Sequence, residues 1–191
     1  MSTDDQTDLP EGELPNLSED NRKFLRAVAQ EAVENYVMGR PPTRHLYSDK
    51  ALKQSRGAFV TLKVQGNLRG CIGTITSDNP LPETVGSLAV KSASHDPRFP
   101  PVGPAELDTI ELEISILGPL REVNDVGEIK VGRDGLVIEH YGRHGLLLPQ
   151  VATEHGLDTG SFLTQTCLKA GLPPDDWKKG ARIYRFAAEV F

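Results

Sequence analysis

From Ile110 to Ile116 every second residue is apolar: Ile110, Leu112, Ile114 and Ile116 lie on one side, with Glu111, Glu113 and Ser115 on the other. Successive side chains of a strand point to opposite faces, so this run predicts a strand with one face in a core and the other polar. Phe59–Val64 repeats the pattern through Val60, Leu62 and Val64. Gln65-Gly66-Asn67 then supplies turn chemistry, and Leu68–Thr76 reads as the return strand of a hairpin. Asp134-Gly135 turns into a strand over Leu136–His140, a second turn leads into Leu146–Leu148, and Ile183–Phe191 alternates to the end of the chain. Strands joined by turns, without regular helical crossovers, predict an α+β fold with a largely antiparallel sheet and flanking helices.

Three helices fit around these strands. Ser18 followed by Glu19 and Asp20 is a capping hydroxyl with first-turn acids, and Leu25, Val28, Ala29, Ala32, Val33 and Tyr36 recur at helical spacing until Gly39 and Pro41-Pro42. Asn79-Pro80 opens a second helix to about Ser94, with Leu81, Val85, Leu88 and Ala89 as its apolar stripe. A third covers Ser161 to Ala170, where Cys167 joins Phe162 and Leu163 as core. Residues 1–16 show no periodicity and are expected to be a disordered acidic tail, which leaves 17–191 as a single domain. Of the net charge of −6, five units belong to Asp4, Asp5, Asp8, Glu11 and Glu13, so the body carries only −1. That body lacks the basic stripe a nucleic-acid binder uses to displace counterions. No apolar run approaches the ~20 residues of a membrane span, and the acidic start lacks the basic and apolar regions of a signal peptide. The expectation is a cytoplasmic protein associated with neither membrane nor nucleic acid.

The residues with the most chemical content are Leu68-Arg69-Gly70-Cys71-Ile72-Gly73-Thr74. Glycine weakens a strand, so Gly70 and Gly73 around one cysteine imply close approach of a ligand or of another backbone. Plain alternation puts Arg69 and Cys71 on one face, about 7 Å apart. A cation beside a thiol favours the nucleophilic thiolate, and a guanidinium also holds carboxylate or phosphate bidentately. Against this stands cysteine's common role as a small buried hydrophobe. A second cluster, His95-Asp96-Pro97-Arg98-Phe99, offers a base for Cys71 with Asp96 orienting the imidazole. The same residues also read as a braced turn, with Asp96 paired to Arg98 and Phe99 plugging the core.

Other combinations point elsewhere. Glu111 and Glu113 form a carboxylate pair on what is expected to be a solvated strand face. His140 and His144 flank a hairpin turn, there is no CxxC or HExxH, and neither a metal nor a cofactor is expected. No Walker loop and no GxSxG elbow is present.

LRGCIGT, HDPRFPPV, ELDTIELEISILGPL, GLLLPQVA and FLTQTCLKAGLP, in that order, resemble the AMMECR domain family from about Leu17 to Phe191. Its bacterial and archaeal members are called AmmeMemoRadiSam system protein A. The resemblance implies two unequal lobes with a cleft between them and a site at the LRGCIG segment. It also implies company with a Memo-like protein and a radical S-adenosylmethionine protein, with no reaction attached. Carried onto this chain, the ligand-binding candidates are Leu68, Arg69, Gly70, Cys71, Ile72, Gly73, Asp96 and Arg98; the reading of the residues themselves makes Cys71, Arg69 and His95 the catalytic candidates. Leu157 stands where many bacterial relatives have tryptophan. Two functions stay open: a small-ligand or catalytic site built on Arg69-Gly70-Cys71, or a non-catalytic adaptor in which Cys71 only fills space.

Overall fold

The computed structural model describes residue 14 and residues 16–191. The expected acidic tail lies almost entirely outside the described residues. The chain divides into two units, one running to Leu117 and regaining Glu189–Phe191, the other spanning Gly118–Ala188.

The first unit carries the cysteine segment. Helix α1 (Glu19–Val37) starts where the Ser18 hydroxyl accepts the Asn21 N–H at 3.2 Å. It ends at Gly39, whose φ of +64° suits a residue without a Cβ. Strands β1 (Ala58–Val64) and β2 (Asn67–Thr74) form the expected hairpin, with Gln65 and Gly66 both at positive φ in the turn. Strand β3 (Ile110–Leu117) pairs with the other side of β1, giving the antiparallel order β2-β1-β3. The last residue joins them: Phe191 and Ile114 exchange two backbone hydrogen bonds of 2.8 and 3.0 Å. Helix α2 (Leu81–Ser94) follows Pro80. Val60, Leu62, Ile114 and Ile116 from the strands pack with Leu25, Val33, Val85 and Leu88 from the two helices. Burying such a side chain contributes about 1.5–3 kcal/mol, which holds α2 against the sheet. Tyr36, expected in the α1 stripe, is exposed at the helix end.

The second unit is built around β5 (Asp134–His140), β6 (Arg143–Leu147) and β7 (Arg182–Val190), with the two-residue β4 (Arg121–Glu122) on the far side of β7. Pairing gives the order β4-β7-β5-β6, antiparallel throughout. Two helices follow β6: the short α3 (Pro149–Glu154) and α4 (Thr159–Lys169), whose Asp158 cap accepts the Ser161 N–H at 2.7 Å. Leu136, Ile138, Phe162, Leu163, Cys167 and Ile183 form its core. Helix α3 is absent from the sequence reading because the Leu146–Leu148 run reads as strand, and only Pro149, fit for a first helical position, marks the change. Among the described residues no helix is long and apolar enough to cross a membrane.

Candidate functional site around Cys71

Both glycines of the LRGCIG segment have packing reasons. A Cβ on Gly70 would sit 2.2 Å from the backbone oxygen of Ser92, so α2 lies directly on the strand there. A Cβ on Gly73 would lie within 2.1–2.5 Å of the Phe59 ring, which covers that glycine from the paired strand. Of the two alternatives, another backbone accounts for Gly70 and an aromatic ring for Gly73.

Ser92 then fixes the strand. Its buried hydroxyl accepts the Ile72 N–H at 2.9 Å and donates to the Val60 carbonyl at 2.7 Å, bridging β2 and β1. On its other side β2 is the outermost strand, where backbone donors lack a strand partner. Asp96, 5% exposed, fills that place: its carboxylate accepts the Cys71 N–H at 2.8 Å. The same carboxylate holds Arg98 through Nη2 at 2.6 Å, Nε at 2.9 Å and the Arg98 N–H at 3.1 Å. Arg98's guanidinium holds the Asp96 carboxyl well below the usual carboxylate range, and the Cys71 and Arg98 N–H groups add to this against the cost of burial. The Asp96 carboxylate in turn raises Arg98.

Cys71 is half-buried and forms no disulfide. The Thr61 hydroxyl donates to its sulfur at 3.3 Å. Strand register places Cys71, Thr61 and Glu113 side by side across β2, β1 and β3, and Glu113 accepts a hydrogen bond from Lys63 at 2.8 Å. Ser115 lies one position further along this face, fully buried with its hydroxyl unpaired.

Arg69 lies at a bulge, since the β1–β2 register shifts between Leu62 and Lys63. Simple alternation therefore does not carry through to Arg69. Its Nε and Nη2 are bidentate to Glu106, at 2.6 and 3.1 Å, and its guanidinium stacks over Phe99 at 5.9 Å. Arg69, together with the Gly103 N–H, lowers the Glu106 carboxyl from its ordinary value. Arg98 also lies over Phe99, at 5.5 Å.

Hydrogen bonds thus link Cys71, Asp96 and Arg98 on one side of β2 and Ile72 with Ser92 on the other, while Arg69 is bonded to Glu106 and shares only the Phe99 ring with Arg98. Leu68, paired with Lys63 and exposed, lies near the start of the strand, outside these contacts. His95 ends α2 with an exposed ring bonded to the Ser94 hydroxyl, and its backbone caps Lys91. Asp96 orients Arg98 and the strand, not that imidazole. Sequence reasoning did not single out Thr61, Lys63, Ser92 or Glu106. Only Thr61 and Lys63 left a trace, as the polar positions of an otherwise apolar β1.

Elsewhere, Cys167 is fully buried and burial raises its thiol. His140 is bonded to the buried Asp176. A shallow polar recess of about 350 Å³ lies along α4, lined by residues that include Ser161, Thr164, Gln165 and Trp177. Among the described residues no three of His, Cys, Asp and Glu converge to hold a metal.

The AMMECR1 family model matches residues 26–191. A protein of Methanothermobacter thermautotrophicus is 46% identical over 184 residues, covering 92% of this chain and 95% of its own length. One from Methanocaldococcus jannaschii is 45% identical over 177 residues, covering 88% of each. The crystal structure of an uncharacterised protein from Pyrococcus horikoshii superposes with a TM-score of 0.82 at 41% identity, covering 87% of this chain and 88% of that one.

Proposed function

The chain belongs to the AMMECR1 family, and from that premise we propose that it is a cytoplasmic protein whose working site is the Cys71 segment of β2, a small-ligand site with the thiol as its reactive group. In this reading it acts alongside a Memo-like protein and a radical S-adenosylmethionine protein, as the family resemblance implies. The supporting observation is a half-buried free cysteine on a strand pinned by hydrogen bonds. Asp96 holds the Cys71 N–H, Ser92 bridges the next residue to β1, and Thr61 donates to the sulfur. A positioned thiol that a reagent can reach meets the geometric requirement for a nucleophile or covalent anchor.

A second reading, a non-catalytic adaptor, draws support from two observations. The motif glycines are explained by packing, and the hydrogen bond to the thiol comes from Thr61, while the His95 ring is bonded to Ser94. Native-state alkylation with peptide mapping separates the two. The thiol-site reading expects Cys71 to label in the folded protein at neutral pH while the fully buried Cys167 stays unlabelled as an internal control. If neither labels until the protein is denatured, the adaptor reading stands.

A further inference from the structure

Arg69 on β2, Lys63 on β1 and Arg98 in the segment after α2 are each matched by a carboxylate. Arg69, two residues before Cys71, is bidentate to Glu106 at 2.6 and 3.1 Å. Arg98 is bidentate to Asp96 at 2.6 and 2.9 Å, and Asp96 itself holds the Cys71 N–H. Lys63 is bonded at 2.8 Å to Glu113, which shares the cross-strand row with Cys71. From a few ångströms away, opposite unit charges in contact act as a dipole, whose field falls off faster than that of a lone charge. A carboxylate or phosphate arriving at the thiol therefore meets these three cations as neutral pairs. The Nε–Nη2 edge of each arginine is already occupied by a carboxylate through two charge-assisted hydrogen bonds, while Nη1 of Arg69 is buried without a partner. Along the strand from Cys71 the half-buried Phe59 ring lies across Gly73, the next residue on the thiol's face.

We propose that the group this site receives is uncharged: a neutral electrophile that approaches Cys71 beside Phe59, not the anion that the Arg-x-Cys spacing suggests. The inference rests on the thiol site proposed above.

Paired alkylation rates test it, with iodoacetamide as the neutral probe and iodoacetate as the anionic one. In each reaction a sulfur–carbon bond forms as the carbon–iodine bond breaks, iodide leaves, and the thiol proton passes to the buffer. The amide-to-carboxylate rate ratio at Cys71 is expected to lie within about threefold of that for a small free thiol, or to exceed it, at low salt where charge effects are largest. A shift of about tenfold or more toward iodoacetate would overturn the inference and leave the thiol site standing. Glu106→Gln provides a second arm, because an amide at this partly exposed position cannot neutralise Arg69. The ratio is then expected to move about threefold or more toward iodoacetate. An unchanged ratio would overturn charge pairing as the cause. Labelling by neither reagent in the folded protein removes the thiol site itself, and this inference with it.

Discussion

Asp96→Asn keeps the shape of the side chain and removes its ability to serve four donors. In the native protein one carboxylate oxygen accepts the Cys71 N–H and Arg98 Nη2, and the other accepts Arg98 Nε and the Arg98 N–H. Whichever way the asparagine amide turns, an NH₂ faces two donors, so two of the four bonds are lost. A hydrogen bond to a charged group is worth about 1.5–3 kcal/mol. The Arg98 side chain is 50% exposed and its freed donors can turn to water, so its share counts at the low end. The expected loss is about 2–4 kcal/mol at neutral pH, a fall in Tm of roughly 5–12 °C for a chain of this size. The pH dependence is a second signature. The Asp96 carboxyl is depressed in the folded state, so its stabilisation is complete above the unfolded value of about 3.9 and is lost as pH falls through the folded one. Urea denaturation of both proteins at pH 7, 5 and 3 should show an equal gap at the first two and one narrower by about 1 kcal/mol at the third. A gap under about 0.5 kcal/mol at pH 7, or one undiminished at pH 3, would refute the assignment of Asp96 as the charged brace of the strand.

Two glycines make an opposed pair of predictions. Gly70→Ala places a Cβ 2.2 Å from the Ser92 backbone oxygen and should cost about 3 kcal/mol or more, whereas Gly86→Ala on α2 meets nothing nearer than Val28 at 3.5 Å and should add about 0.5–1 kcal/mol. Equal melting temperatures for the two variants would show that α2 does not lie on β2 in this way. Ser92→Ala strands the Ile72 N–H and the Val60 carbonyl and should cost about 2–4 kcal/mol. A loss below about 1 kcal/mol in urea would mean that the strands close up and bond directly.

The elements of local origin were legible in the residues. Ser18 caps α1, Gln65-Gly66 turns the first hairpin, and the alternation of Ile110–Ile116 makes β3 with its apolar face inward, because capping, turn chemistry and two-residue periodicity all act within a few positions. The family was legible too, from five motifs in order. The cysteine's surroundings were legible only in outline. Cys71, Asp96 and Arg98 were named as candidates and the Asp96–Arg98 pair was read from the turn, but the bond from Asp96 to the Cys71 N–H was not. Asp96 reaches Cys71 across 25 positions, Glu106 reaches Arg69 across 37, and Ser92 reaches Val60 across 32. No local pattern encodes contacts at such separations. The bulge at Arg69 interrupts the alternation that the sequence argument extended through it, and the polar residues of β1 and β3 show their partners only once the strands are in register. The amino-acid order determined the strands, the helices and the presence of a thiol flanked by charge. Tertiary packing decided that the charge is paired, that the glycines admit a helix and a ring, and that Cys71 is half-buried, because charge balance and burial depend on which distant segments meet.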